Sequence, residues 1–195
     1  QWRFDRGEIA SWIEDTRDIP AHVPTRTSSL ADEESISVSE FLRRGGIYYN
    51  VAANTKEDAI SSSLALIKEE VPQMDIRKLF NAIMEREKLC STAVGHGIAF
   101  PHPMPFKEFA SRFSSIALCY LDKPIPFGAL DNDDVDTLFF IFPRNERRYL
   151  RILAKLSRLL KDEEIISAVK NFSPADKLYE VFARREAELF KVTEK

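Results

Sequence analysis

The spacing of hydrophobic residues along the chain changes repeatedly between a helical and a strand-like period. Apolar positions three or four residues apart predict amphipathic helices, whereas unbroken runs of branched and aromatic residues predict buried strands. Five helices are predicted with both ends defined: Ser37–Arg44, Thr55 to Pro72, Asp75 to Arg86, Asn145–Leu160, and Ser173 to Leu189. A further helix is predicted to begin at Asp162. Strands are predicted at Ile47–Val51, Ile98–Phe100, Ile116–Leu121 and Thr137–Phe142. The alternation predicts an α/β fold in which helices flank a mixed β-sheet.

Short-range signals mark the ends of several of these helices. Gly45-Gly46 suits a left-handed helix cap, and the run from Thr55 to Asp58 is typical of a capping box. Pro174 suits the first helical position. In the helix from Asn145, the inward-facing residues are predicted to be Leu150, Leu153, Leu156 and Leu160.

The residues before Ser35 follow a different pattern. Asp18 to Glu34 combines prolines, serines and threonines with an acidic run, and it offers little apolar surface to offset the entropy of ordering. The predicted organisation is therefore an N-terminal segment over 1–17, a linker over 18–34 and a main domain over 35–190. His22, in the linker, is interpreted as a solvated loop histidine.

The composition of the chain argues against several classes of function and location. The net charge of -3 gives no indication of binding to nucleic acid or to an anionic membrane. No apolar run approaches the roughly 18 residues of a membrane span, and no signal peptide is visible, so a cytoplasmic location is expected. Cys90 and Cys119 are interpreted as buried reduced thiols, against a disulfide or a redox pair.

The most informative stretch runs from Ser91 to Pro103. Its glycines allow a sharp turn or a close approach to a ligand, and a short buried strand follows them. Pro101 ends sheet pairing because it has no N–H to donate. His102 precedes Pro103, which favours an extended backbone. We therefore expect His102 to be held stiffly where a strand gives way to a loop, a common location for functional side chains.

This stretch, S-T-x-x-G-x-G-x-A-x-P-H, resembles the active-site segment of enzyme IIA in the bacterial phosphoenolpyruvate-dependent sugar phosphotransferase system. The similar type is the fructose/mannitol one, which includes the nitrogen-regulatory IIA proteins. Met84 to Glu87 is similar to the family's R-E segment, and the stretches 122–127 and 131–140 resemble its "P-I-x-F…D-x-x-x-V-x-L-x-F" pattern. The resemblance extends from Ser35 to Phe190 and implies the same mixed α/β fold.

The resemblance implies that His102 accepts a phosphoryl group and that Arg86 lies beside it. Neutral imidazole is a nucleophile near pH 7, and a guanidinium matches phosphate oxygens. The backbone N–H groups of Gly95, His96 and Gly97 and the hydroxyl of Thr92 are further candidate partners for the ring or the phosphate.

Alternatives stay open for two of these residues. Arg86 could instead form a surface ion pair with Glu85 or Glu87. His96 is more typical of a structural loop residue, and no Cys, Asp or Glu cluster completes a metal site with His102, so neither metal nor cofactor is expected.

One position departs from the family pattern. Many members carry a second histidine ahead of the L-x-x-L of the helix that follows the last strand, where this chain has Tyr149. Tyrosine can donate a hydrogen bond but cannot carry a proton near neutral pH. This difference gives weight to a regulatory role over a transport relay.

The segment Trp2 to Ile13 resembles the wing and last helix of an excisionase-type winged helix-turn-helix. Ile9, Trp12 and Ile13 would form a small apolar face. The helices that read DNA would precede Gln1, so DNA is expected as a partner only through a domain upstream of Gln1. The alternative is a short helix that packs on the main domain.

Two functions follow as hypotheses. In the first, a histidine-phosphocarrier protein phosphorylates His102, which is then a phosphohistidine intermediate in a transferase relay to a IIB component, serving sugar transport or nitrogen regulation. In the second, the domain is a non-catalytic regulatory module that controls a partner, for example as the sensor domain of a transcription regulator.

Overall fold

The structure of the protein is a computed structural model, and residues 36–190 are described here. Its helices are α1 (Val38–Gly45), α2 (Lys56–Ile67), α3 (Ile76–Leu89), α4 (Glu146–Leu159), α5 (Glu163–Lys170) and α6 (Ala175–Leu189). Its strands are β1 (Ile47–Val51), β2 (Ala93–Gly95), β3 (Ile98–Ala99), β4 (Ser115–Ile125) and β5 (Val135–Phe142). Two short 3₁₀ helices, Lys68–Glu70 and Phe106–Phe109, complete the regular structure.

The five strands form one mixed sheet in the order β1-β4-β5-β3-β2. β1 runs parallel to β4, and β3 runs parallel to β5. The β4–β5 and β2–β3 pairs are antiparallel. The predicted α/β class with a mixed sheet is confirmed. Within residues 36–190, no helix has the length and apolar character that crossing a membrane requires.

Strict alternation along the central strands builds one core on each face of the sheet. On β4, Ile116, Leu118 and Tyr120 join the core beneath α1, α4, α5 and α6. Ala117, Cys119 and Leu121 point the other way, into the core beneath α2 and α3. Both faces of β4 and β5 are thus covered, which explains why these strands are continuous apolar runs in the sequence.

Most of the predicted helix boundaries are confirmed because short-range hydrogen bonds set them. Ser37 caps α1, and Gly46 closes it with a φ of 82°. Both bonds of the Thr55–Asp58 capping box are present at the start of α2. Asp75 and Asp162 cap α3 and α5 through their carboxylates.

Four expectations about the fold were wrong: the inward position of Leu150, the burial of Cys90, the end of α2 and the position of Pro174. Leu150 is 52% exposed, whereas the other predicted inward residues of α4 do face the core: Leu156 is buried, and Leu153 and Leu160 are partly buried against it. The buried apolar residues of α4 are Tyr149, Ile152, Leu156 and Leu159. Cys90 is exposed, whereas Cys119 is buried, and both thiols are free. α2 ends at Ile67, before the predicted end at Pro72.

Pro174 occupies the N-cap of α6 rather than its first helical position. The interpretations of the N-terminal segment, the linker and His22 concern residues that lie outside the described part of the chain. The domain division remains a prediction.

Candidate functional site

His102 lies where the chain leaves β3 and is held by a bond to its own segment. Its Nδ1 lies 2.9 Å from the carbonyl oxygen of Phe100. A carbonyl can only accept, so Nδ1 carries the proton and donates. The lone pair is therefore on Nε2, and the tautomer is fixed with Nε2 as the nucleophilic atom.

Two aromatic rings enclose the imidazole. Phe106 stacks on His102 with the rings parallel to within 1° and their centroids 5.5 Å apart. The ring of Tyr149, from the first turn of α4, lies 5.3 Å from the imidazole and 4.3 Å from Phe106. The three rings form a small cluster that orients the imidazole and shields part of it from solvent.

The cluster changes the acid–base behaviour of His102. Burial lowers its pKa from 6.5 to about 4, the bond to Phe100 opposes this shift, and the charge of Arg86 adds to it. Desolvation penalises the charged imidazolium, and a nearby cation does the same. The histidine is therefore neutral, and available as a nucleophile, throughout the physiological range.

Arg86 lies in the last turn of α3 and is half-buried. Its Nη1 donates to the carbonyl of Cys90 at 3.0 Å, which satisfies an otherwise unpaired group at the helix end. Its charge lowers the pKa of both His102 and Tyr149. The structure thus brings the three predicted residues into one electrostatic environment.

The alternative ion pair for Arg86 is not formed. Glu85 pairs with Lys88, and Glu87 pairs with Lys56. No salt bridge joins Arg86 to a carboxylate among residues 36–190. The guanidinium keeps donors available for an anionic group.

The Tyr149 hydroxyl is buried and has no hydrogen-bond partner within residues 36–190. The side chain is 3% exposed, and burial raises its pKa above the ordinary value, so the phenol is protonated. A buried donor without a partner costs stability. A group that arrives beside His102 could accept this hydrogen bond.

Thr92 is placed differently from the expectation. Its hydroxyl donates to the carboxylate of Glu87 and forms no hydrogen bond with His102 in the described structure. Glu87 also accepts from the Thr92 N–H at 3.3 Å and pairs with Lys56 Nζ at 3.1 Å. Thr92 in turn accepts the N–H of Phe100 at 3.1 Å, and Phe100 accepts from His102. Thr92 therefore supports the backbone that orients the histidine.

The candidate phosphate donors at Gly95, His96 and Gly97 precede β3, whereas His102 follows it, and their role as donors remains a prediction. These three residues form the β2–β3 turn with φ values of 98°, 55° and 70°. The Gly97 carbonyl accepts from Asp136 and Thr137 at the start of β5. His102 lies five residues further on, beyond the end of β3, and a fully extended chain of that length spans at most about 17 Å.

The turn thus joins β2 to β3, and the exposed His96 lies in it. Within residues 36–190, no group of three or more His, Cys, Asp or Glu side chains is arranged to hold a metal ion.

Two members of the site were missed by the sequence reasoning. Phe106 is an apolar residue four positions after His102 in a proline-rich loop, and nothing local indicates that it folds back. Glu87 carried a usable signal, because it continues the buried stripe of Leu79 and Ile83 at a spacing of four. A carboxylate at a buried helical position predicts a fixed partner.

Comparison with known proteins agrees with the family resemblance noted in the sequence. The family described as "Phosphoenolpyruvate-dependent sugar phosphotransferase system, EIIA 2" matches residues 40–185. The nitrogen regulatory protein of Bradyrhizobium diazoefficiens is 33% identical over 132 residues, covering 67% of this chain and 84% of that protein. The nitrogen regulatory protein of Escherichia coli K12 is 29% identical over 159 residues, covering 80% and 94%.

Solved structures share the fold. The nitrogen regulatory protein IIA-Ntr from Neisseria meningitidis superposes with a TM-score of 0.63 at 23% identity, covering 74% of this chain and 98% of that one. The enzyme IIAMTL–phosphorylated enzyme IIBMTL complex from Escherichia coli gives a TM-score of 0.60 at 23% identity, covering 73% and 96%.

Proposed function

The chain belongs to the EIIA type-2 family of the phosphoenolpyruvate-dependent sugar phosphotransferase system, and from that premise we propose that His102 accepts a phosphoryl group from a histidine-phosphocarrier protein. The observation that carries the proposal is the fixed tautomer. Nδ1 donates to the Phe100 carbonyl, so the Nε2 lone pair is free for attack. Burial keeps the ring neutral.

In the proposed step, Nε2 of His102 attacks the phosphorus of a phosphohistidine on the donor. The new N–P bond forms as the donor's N–P bond breaks, and the electron pair of the broken bond stays on the donor nitrogen. His102 keeps its Nδ1 proton throughout. Arg86 is proposed to stabilise the charge on the phosphoryl oxygens, because preorganised cations lower the energy of such transition states. Tyr149 is proposed to donate one hydrogen bond to the same group.

The proposed downstream role is regulatory. Curated relatives named nitrogen regulatory protein support it, as does Tyr149 in place of a second histidine. A IIB component is the alternative recipient, since a related enzyme IIA was solved in complex with a phosphorylated enzyme IIB. We also propose a cytoplasmic location, which the two unpaired thiols support.

Two substitutions test the chemistry. The protein is incubated with phosphoenolpyruvate, enzyme I and the phosphocarrier of the same organism, and an acid-labile, base-stable adduct is expected. His102→Ala should abolish it, whereas His96→Ala, the matched exposed histidine, should leave it intact. An adduct that persists in His102→Ala would refute the assignment.

The same assay tests Arg86. Removal of a cation from a phosphoryl-transfer site typically slows the reaction by roughly 10²-fold or more. Arg86→Ala should therefore label about that much more slowly, with a nearly unchanged melting temperature, whereas Arg77→Ala, exposed at the start of α3, should label normally. Normal labelling by a destabilised Arg86→Ala protein would show a structural role instead.

A second candidate function is a regulatory surface that does not pass the group on. The missing second histidine favours it. Phosphorylated protein mixed with a IIB component distinguishes the two, because a relay loses its phosphohistidine to IIB whereas a regulatory endpoint retains it.

A further inference from the structure

A cleft with a volume of about 250 Å³ lies between the start of α3 and the 3₁₀ helix Phe106–Phe109. Its lining consists of Gln73, Met74, Asp75, Lys78, Glu108, Phe109 and Ala110. Both elements also carry parts of the site, since Phe106 stacks on His102 and Arg86 lies in the last turn of α3. The proposed phosphoryl transfer uses none of the residues that line the cleft.

Two opposite charges line this cleft without neutralising each other. Lys78, on α3, and Glu108, on the 3₁₀ helix, are both exposed. Within the described part of the chain, neither side chain forms a salt bridge. Other exposed charges on α3 do pair, as Glu85 does with Lys88. The cleft therefore offers an ammonium from one wall and a carboxylate from the other.

The rest of the lining supplies apolar contact and further polar groups. Phe109 is buried and Met74 is half-buried. The Gln73 side-chain N–H donates to Ser111 Oγ at 3.1 Å, which holds the amide and leaves its oxygen as an acceptor. Asp75 adds a second carboxylate to that of Glu108, so the lining disfavours a ligand with a net negative charge.

We propose that this cleft binds a free α-amino acid with an uncharged side chain. In the complex, the carboxylate of the ligand pairs with Lys78, its ammonium pairs with Glu108, and its side chain lies on Phe109. The volume suits so small a molecule, because drug-sized ligands fill pockets of roughly 300–1,000 Å³. Exposed charge pairs are individually weak, so the expected dissociation constant is about 1 mM.

The bound amino acid also links the 3₁₀ helix to α3. Phe106 shields part of the His102 imidazole, and a ligand that holds the 3₁₀ helix in place favours this shielded arrangement. Phosphoryl transfer to His102 is therefore expected to slow when the cleft is occupied. This effect rests on the proposed function, whereas the binding itself does not.

Binding is tested by NMR on the full chain, with each common L-amino acid added at about 10 mM, so that a ligand of the expected affinity nearly saturates the cleft. At least one with an uncharged side chain should shift the amide signals of the lining residues. Its N-acetyl derivative lacks the ammonium and its amide lacks the carboxylate, so each should bind about threefold or more weakly. The absence of any shift, or equal binding by both derivatives, would overturn the proposal.

Substitutions test the two charges separately. Lys78→Gln and Glu108→Gln should each weaken binding by about threefold or more. Lys177→Gln and Glu180→Gln make the same changes at exposed positions on α6 and should bind as the wild type does. Wild-type affinity in both cleft variants would also overturn the proposal.

The labelling assay then tests the effect on His102. The amino acid found to bind, at a saturating concentration, should slow labelling of the wild type by the phosphocarrier and slow Glu108→Gln less. A wild-type rate that does not change while the amino acid is bound would refute the link through Phe106. Failure of the proposed function looks different, because labelling is then absent without any amino acid while the NMR shifts persist.

Discussion

His102 combines two properties that rarely occur together, enclosure by apolar rings and availability for reaction. Phe106 and Tyr149 shield part of the imidazole from water, and the bond to Phe100 fixes the proton of the neutral ring on Nδ1. A neutral, oriented ring is the form that attacks phosphorus. Its low pKa makes the site insensitive to pH changes near neutrality.

The pKa of His102 predicts a specific acid sensitivity. It is about 4 in the folded protein and about 6.5 in the unfolded chain. Between these values the unfolded state binds more protons, so the stability contribution is fully present above pH ~6.5 and is lost as the pH falls to ~4. At about 1.4 kcal/mol per unit, the full contribution is roughly 3 kcal/mol.

Denaturant unfolding of wild type and His102→Gln at pH 7 and pH 4.5 measures this effect. The stability difference between the two pH values should be smaller in His102→Gln by most of that amount. A histidine NMR titration with a midpoint near 6.5 for His102 would contradict the prediction.

At the level of elements, the end of α3 and the start of β2 form one support for the site. Glu87 links the two by holding Thr92, and Lys56 adds a contact from α2. Thr92 then holds Phe100, the partner of His102. A change at Glu87 should therefore affect both stability and the rate of labelling.

Glu87→Gln tests this support. The substitution leaves Lys56 without its carboxylate partner in a mostly buried setting, and breaking such a pair typically costs about 2–4 kcal/mol of unfolding free energy. The matched change Glu85→Gln removes an exposed pair and should cost less than about 1 kcal/mol. Equal denaturation midpoints for the two variants would show that the network contributes little.

How far these elements were predictable depended on the range of the interactions. The caps at Thr55 and Asp162 depend on hydrogen bonds to residues at most three positions away, so the local sequence was enough to locate them. The face of α4 that points inward is decided by tertiary packing. The leucine spacing suggested Leu150, but Tyr149 is the residue that packs against Phe106 and His102. In the same way, Phe106 joins the site through the fold of a loop, which no periodic pattern encodes.

At the scale of residues 36–190, the sheet separates two ends that differ in charge. The end with His102 carries the exposed Lys107 and Arg147, and the end with the β2–β3 turn carries the exposed Asp131, Asp133 and Asp134. The family resemblance placed His102 and Arg86 at the first end. It also grouped Gly95 to Gly97 with them because sequence distance is short, whereas β3 carries the chain from one end to the other.

The division of the chain predicts that residues 1–34 are dispensable for the chemistry. The family match spans residues 40–185, and residues 36–190 contain two hydrophobic cores. A variant lacking 1–34 should keep its melting temperature within a few degrees and accept phosphate on His102 at the same rate. A large fall in either quantity would show that the N-terminal segment completes the domain.

Such a shortened protein would also carry its own optical probe. Both tryptophans of the chain, Trp2 and Trp12, lie in the removed segment, so its near-ultraviolet emission would come from tyrosine. One of the five tyrosines, Tyr149, has its ring centre 5.3 Å from the imidazole of His102, the proposed acceptor. Adding a dianionic group at that distance changes the field on the phenol, so the phosphorylation of an unlabelled sample could be followed by its fluorescence as it occurs.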